Sequence, residues 1–233
     1  MIGDIVERAV HLILNGDREL FGIIALSLQV SGSALIISSV LAIPLATIIG
    51  LSKFHLNSFL VNVMNTFMGL PPVVVGLILY ILLSRNGVLG FLGLLYTPTA
   101  MIIAQSILAF PIVVSLCHTA IVGIDPVIKQ AAEALGATRF QTALLVIREA
   151  RYGILSAIIA ALGRLMSEVG AILIVGGNIA GYTRVMTTTI AMEADKGNFE
   201  MAVALGLILL LISMVINLLL QRVQTKKMKS TAL

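Results

Sequence analysis

Residues 124–151 read IDPVIKQAAEALGATRFQTALLVIREAR, with seven charged side chains set between segments that carry almost none. Charges at that density are costly at bilayer depth, so the stretch reads as an aqueous loop joining two membrane spans. Such a loop is expected to dock a soluble partner that supplies energy, leaving the rest of the chain as the passage being driven. On spacing alone, a solvated loop with no docking role is the competing reading.

The composition around the loop makes lipid the main solvent. Of 233 residues, 59% are hydrophobic and 11% charged, and the mean hydropathy is +1.08. Soluble domains carry about 25% charged residues, and no soluble core of this length hides so much apolar surface. The chain is therefore expected to be an integral membrane protein. Aromatics are sparse and Trp is absent, so interfacial belts are weak. The net charge of +4 does not indicate nucleic acid, because the basic residues are scattered and no aromatic platform accompanies them. A single cysteine, Cys117, excludes an internal disulfide and a CxxC pair, and reads as a small buried hydrophobe. Asp4 and Glu7 precede a short apolar patch with no small-residue cleavage site, so the N-terminus is expected to be retained.

Charge-free intervals define the spans, since a helix needs about 20 apolar residues to cross. No Asp, Glu, Lys or Arg lies between Glu19 and Lys53, which holds a span at about 20–50 with Pro44 inside it. The next, about 57–83, carries Gly69, Leu70, Pro71 and Pro72 at its centre and must bend or break. Freed backbone at that depth is tolerated only under protein or water, so Pro71 and Pro72 are candidate pathway or gate residues. A glycine-punctuated link follows. Further spans are expected at about 98–123, 152–176 and 201–222, with Pro111 inside the third. Residues 1–19 form an amphipathic segment outside the membrane domain at 20–222, and 223–233 a basic, frayed tail. No internal repeat is evident, which counts against an inverted-repeat carrier.

Five spans put the termini on opposite sides. Lys53, Lys129, Arg139, Arg148, Arg151, Arg222, Lys226, Lys227 and Lys229 fall on one side, against Arg8, Arg18, Arg85, Arg184 and Lys196 on the other. The positive-inside bias then places the polar loop and C-terminus in the cytoplasm and the N-terminus outside.

Within the loop, Asp125-Pro126 is a helix-start signal. A first short helix is expected to run to Leu135, with Val127, Ile128, Ala131, Ala132 and Leu135 as its apolar face. Gly136 stops it, and a second short helix from about Thr138 to Ile147 returns the chain to the membrane. Gln130-Ala131-Ala132, three residues, Gly136, nine residues and Val146 resembles the EAA motif of ABC-importer membrane subunits. Gln130 stands where that motif has glutamate, with Glu133 one turn on, and Arg148-Glu149 where Leu-Pro is usual. The segments GRLMSEVGA at 163–171, GGNI at 176–179 and GYTR at 181–184 look like the molybdate/tungstate/sulfate branch. REAR at 148–151 and GGNIAGYTR are most similar to its tungstate-type permeases, over about residues 20–222.

This resemblance implies an all-α, type I permease-like bundle of five transmembrane helices in the plasma (inner) membrane. It implies a homodimer of permeases, two cytoplasmic ABC ATPase subunits and an extracytoplasmic oxyanion-binding protein. The chain itself would bind no cofactor, ATP and Mg being used by the partner ATPase. Coupling to that ATPase would fall on Gln130, Ala131, Ala132, Glu133, Gly136, Ala137 and Arg139.

Arg164 and Glu168 interrupt the fourth span at i and i+4 and are expected to share a helix face, away from lipid. Two readings stand: Arg164 presents positive potential to a passing dianion with Glu168 preventing a trap, or the pair only fixes packing or a gate. Gly153, Ala157, Ala160, Ala161 and Gly163 form a close-packing face, within the subunit or at a dimer seam or pore wall. The link at 178–200, with Thr183, Thr187, Thr188 and Thr189, reads equally as a contact for the binding protein or as an ordinary solvated link. His11, His55 and His118 belong to no ligand pattern. No Walker A sequence or nucleophile constellation appears, so the chain is expected to be a transport subunit and not an enzyme. An autonomous carrier or channel with a regulatory loop is the alternative.

Overall fold

A computed structural model of the chain describes residues 18–52 and 57–228, in which every regular element is a helix. Residues 1–17 of the expected amphipathic segment at 1–19, His11 among them, lie outside the described residues, as do Lys53 and His55. Helix α1, Arg18–Leu51, has 34 residues and so extends about 51 Å, well beyond the hydrocarbon thickness of about 30 Å. One side of α1 exposes Ile36, Val40, Leu41 and Ile48, as a lipid-facing surface should. The other side buries Val30, Ala34, Ala42 and Ala46 against α4, Pro98–Val122. Small side chains bring the two backbones close enough for hydroxyl stitches: Ser38 Oγ donates to the Ser106 carbonyl at 2.9 Å.

The second expected span is two helices. α2, Asn57–Phe67, and α3, Pro72–Leu83, meet at 95°. Pro71 and Pro72 have no N–H to continue the ladder, and Pro72 restarts a helix at its first position, where that donor is not needed. The glycine-rich link then holds a single 3₁₀ turn, Gly90–Leu92. Thr97 caps α4 by accepting from the Ala100 N–H at 3.3 Å.

The polar loop contains the expected first helix, α5, Pro126–Ala134, with Leu135 as its C-cap. The second helix does not stop at Ile147. It continues as α6, Arg139–Met166, through the whole REAR segment and deep into the fourth span. The helical period carries across the charges: Val146 and Ala150 are buried while Arg148 and Glu149 point outward. The fourth span in turn is not one helix over 152–176. It breaks after Met166 and resumes as α7, Gly170–Gly176, at 59°.

The link at 178–200 is also more structured than a solvated connection. It contains α8, Met186–Asp195, and buries Thr183, Thr188 and Thr189. α9, Phe199–Met228, runs past the expected end of the fifth span at 222. Three straight helices are long and apolar enough to cross, and five spans result if each bent pair counts as one. The core lies where α1, α4 and α6 converge, with Cys117 fully buried in it.

Candidate functional site

Two constructions, the wedge formed by α5 and the start of α6 and the pair of helix breaks, hold the residues singled out in the sequence. At the wedge, Asp125 accepts from the Val127 N–H at 2.9 Å, capping α5. Its far end is a Schellman turn: the Ala137 N–H reaches the Ala132 carbonyl and the Gly136 N–H the Glu133 carbonyl, both at 3.0 Å. That turn needs a left-handed residue, and Gly136 supplies it at φ +79°. Thr138 and Gln141 then form a reciprocal capping box that starts α6.

Gln130, Ala131, Glu133, Gly136 and Arg139 are all exposed on the wedge, Ala137 is half-buried and Ala132 is buried. The apolar face is split. Ile128 and Ala132 pack inward, whereas Val127 and Leu135 are 63% and 89% exposed, beside Phe140 at 75%. Val127 and Leu135 at α5 and Phe140 at the start of α6 are thus large apolar side chains open to a partner surface. The sequence reading missed the tie that holds this wedge: Lys129 Nζ donates to the Leu51 carbonyl at 3.1 Å, at the C-terminus of α1. A cation there meets both orphan carbonyls and the negative end of the helix dipole. Asn57 caps the neighbouring Ile49 carbonyl at 2.9 Å. Beside the clamp, a cleft of about 480 Å³ is lined by Thr47, Ser52, Lys129, Glu133, Arg139 and Thr142, among others.

The second construction joins the two broken spans. α3 lies against α7 so closely that a Cβ on Gly76 would stand 2.9 Å from Ala171 Cα. The break at 68–71 and the break at 167–169 are thereby neighbours, with Val73 against Gly170. Glu168 sits in this join, 6% exposed, and accepts from the Ala171 N–H at 3.1 Å. Its own carbonyl accepts from Thr187 Oγ1 at 2.7 Å. Gln105, fully buried on α4, donates through Nε2 to the Leu165 carbonyl at 3.1 Å. The break is thus stitched by residues of α4 and α8. A lone glutamine inside an apolar span was the sequence signal for Gln105.

Arg164 and Glu168 do not share a helix face, because the helix ends between them. Arg164 is exposed in the last turn of α6 and has no ion pair among the described residues, while Glu168 turns inward beyond the helix end. The structure brings Glu168 to the α3 start and leaves Arg164 on the open face below it. Along that face Ser156, Ala160, Gly163, Arg164 and Ser167 are all exposed, and none is a large apolar residue. Of the close-packing set, Ala157 and Ala161 are buried within the chain, Gly153 presses on Ala120, and Ala160 and Gly163 stay open.

At the end of α1 opposite the wedge, Arg184 Nη1 pairs with Glu19 Oε1 at 3.2 Å. Thr183 Oγ1, fully buried, donates to the Gly176 carbonyl at 2.6 Å and accepts from the Ile179 N–H. The threonines of this link are mostly internal braces. Among the described residues no His, Cys, Asp and Glu cluster could hold a metal ion.

Comparison with known proteins places this architecture. The chain is 47% identical over 205 residues to a probable anion ABC transporter permease protein of Haloferax volcanii, covering 86% of this chain and 88% of that one. It is 43% identical over 216 residues to the tungstate uptake system permease protein TupB of Peptoclostridium acidaminophilum, covering 93% and 95%. Among solved structures, a bacterial ABC transporter that imports the polysaccharide alginate superposes with a TM-score of 0.76 at 20% identity, over 93% of this chain and 82% of that one. An amino acid ABC transporter superposes with a TM-score of 0.62 at 17% identity, over 89% and 94%. Both share the fold. Residues 42–229 match the family described as binding-protein-dependent transport system inner membrane component, and the chain belongs to that family as a multi-pass membrane transport subunit.

Proposed function

We propose that this chain is the permease subunit of an ATP-driven importer for a tetrahedral oxyanion, tungstate in the first place. The relatives whose names specify an anion or tungstate support that substrate class. In this reading two copies form the passage, and two ATPase subunits dock on the wedges through Gln130, Ala131, Ala132, Glu133, Gly136, Ala137 and Arg139. An extracytoplasmic binding protein delivers substrate at the end marked by Glu19 and Arg184. The wedge and C-terminus then face the cytoplasm, with the N-terminus outside. The chain holds no cofactor of its own, and ATP and Mg act in the ATPase.

The observation that carries the proposal is the continuity of α6. One helix of 28 residues, about 42 Å long, begins in the wedge and ends in the turn holding Arg164, just below Glu168. Force applied at the wedge reaches Arg164 without crossing a break in the helix. Arg164 supplies positive potential along the open face, and the Pro71-Pro72 and Glu168 join closes above it.

The test is co-expression with the ATPase subunit and reconstitution with the binding protein. Leu135→Asp removes an exposed apolar contact without touching the core, and is expected to abolish ATPase co-purification and ATP-driven tungstate uptake. Tungstate uptake by this chain in vesicles lacking the ATPase would overturn the proposal in favour of an autonomous carrier. Retained uptake and ATPase binding in Leu135→Asp would remove the wedge from the docking role.

A further inference from the structure

α2 carries a feature that the coupling and gating residues leave unused. Ser58, Asn62, Asn65, Thr66 and Gly69 are all exposed. At 100° per residue the four within α2, Ser58, Asn62, Asn65 and Thr66, fall within one arc about 100° wide, and Gly69 follows just past the helix end. Phe59, Leu60 and Phe67, also exposed, lie outside that arc. The spacing i, i+4, i+7, i+8, i+11 is the same as that of Ser156, Ala160, Gly163, Arg164 and Ser167 on α6. Each stripe ends at the break of its own span, at Gly69 before Pro71-Pro72 and at Ser167 before α7. Both therefore belong to the halves of the broken spans that lead from the wedge end up to the join.

Elsewhere most outward positions of α1 and α9 are large and apolar, as Ile36, Val40, Leu41, Leu210, Leu211 and Met214 show, and exposed amides occur there singly, at Gln29 and Asn217, not as a stripe. The α2 stripe is chemically different. Thr66 Oγ1 is committed to its own helix, donating to the Asn62 carbonyl at 2.8 Å. Among the described residues, the side-chain amides of Asn62 and Asn65 have no hydrogen-bond partner. Each presents two N–H donors. Hydrocarbon cannot satisfy them, so the face must meet water, protein or a polar ligand. Neutral donors suit a tetrahedral dianion in transit. They replace part of its hydration shell without the deep well that a second fixed cation beside Arg164 would create.

We propose that Asn62 and Asn65 form a substrate-contacting wall of the passage, donating amide N–H bonds to a partly dehydrated oxyanion between the wedge end and the join. The proposal rests on the permease reading above and adds to it the contact on α2.

The test uses the complete transporter, with ATPase and binding protein, in proteoliposomes. Asn62→Cys and Asn65→Cys are probed with a membrane-impermeant anionic methanethiosulfonate, against a low background because Cys117 is fully buried. Both cysteines are expected to react, in the nucleotide-free or the vanadate-trapped state, whereas Val40→Cys on the lipid face is not. Tungstate at tenfold its dissociation constant is expected to slow the reaction about tenfold. Asn65→Leu, which would suit a lipid-facing site, is expected to lower kcat/KM for tungstate uptake about tenfold by removing a charge-assisted hydrogen bond. ATPase co-purification should be retained.

Absence of labelling in both states overturns the proposal. So does labelling that tungstate does not slow, which marks a wet surface without substrate contact. Disulfide linkage between the Asn62→Cys positions of two copies, with no labelling in either state, assigns the face to a closed subunit seam and overturns it too. Wild-type vesicles serve as the control: if they fail to import tungstate, the permease reading fails, independently of what α2 does.

Discussion

Replacing Lys129 with methionine isolates the clamp between the wedge and α1. The methionine keeps most of the aliphatic stem and removes the ammonium that reaches the Leu51 carbonyl at 3.1 Å. A hydrogen bond from a charged donor contributes about 1.5–3 kcal/mol when sheltered, and a cation at an exposed helix C-terminus about 0.3–1 kcal/mol. Lys129 is half-buried, so the expected loss is about 1–2 kcal/mol, a factor of roughly 5–30 in the ratio of clamped to free wedge. The wedge would then move under the ATPase without carrying the end of α1. The assay is tungstate imported per ATP hydrolysed in proteoliposomes. That ratio is expected to fall by roughly fivefold or more on the same estimate, with ATPase binding intact, and Lys129→Arg should restore much of it because a guanidinium also donates to a carbonyl. An unchanged ratio in Lys129→Met would refute the claim that this contact transmits the stroke.

Three further outcomes follow from contacts elsewhere. Gly76→Val pushes a branched side chain into Ala171 Cα, 2.9 Å from the new Cβ, and should destabilise by about 1–3 kcal/mol. A lowered melting temperature of the purified complex checks it, and an unchanged one would mean that α3 and α7 are not in contact. Thr138→Ala deletes half of the capping box that starts α6 and should cost about 1 kcal/mol, read as roughly fivefold faster amide exchange over 139–142. Thr138→Ser should exchange like the wild type. Glu193 has its pKa lowered from 4.5, first by the hydrogen bond from Lys196 and then by that from Asn198. A lowered carboxylate pKa stabilises the fold above the unfolded value, and that contribution is lost as pH falls through the folded value. Amide protection at 193–198 should therefore fall on acidification below about pH 4.5, and Glu193→Gln should remove that step from the profile.

The limits of the sequence reading follow from where each structural cause resides. Several helix ends were legible because charges and prolines act locally: Glu19, Arg85, Pro98 and Asp125-Pro126 mark ends that one residue's solvation or missing N–H imposes. Gly136 was legible for the same reason, since the turn after α5 needs a positive φ. The break at 167–169 was not. No proline marks it, and the groups that satisfy its freed carbonyls, Gln105 and Thr187, lie 60 and 19 positions away. α8 was hidden by its three consecutive threonines, which have poor intrinsic helix propensity. It is held instead by packing on α9 and by the Val185 N–H donating to Thr188 Oγ1 at 3.2 Å. The charges at Arg148, Glu149 and Arg151 suggested a loop ending, although the alternation of buried Val146 and Ala150 with exposed Arg148 and Glu149 is what a surface helix produces.

The strength of the stitches determines where a stroke is felt. α6 has continuous helical hydrogen bonding from Arg139 to Met166, so bending its interior would break backbone bonds in an environment with little water to replace them. Its far end is held differently, by single hydrogen bonds from Gln105, from Thr187 and from the Ala171 N–H to Glu168. Each contributes about 0.5–1.5 kcal/mol net when neutral and somewhat more at the carboxylate. These bonds lead to α4, which is stitched to α1 through Ser38, and to the start of α8, which is fixed to α1 by the Met186 N–H donating to Ser27 Oγ at 2.8 Å. On the proposed function, a displacement of the wedge along α6 is expected to be taken up at the break at residues 167–169. That joint lies between the exposed guanidinium of Arg164 and the buried carboxylate of Glu168. On the proposed function, motion there would change which of the two charges faces the passage, the change of potential that a gate for a dianion needs.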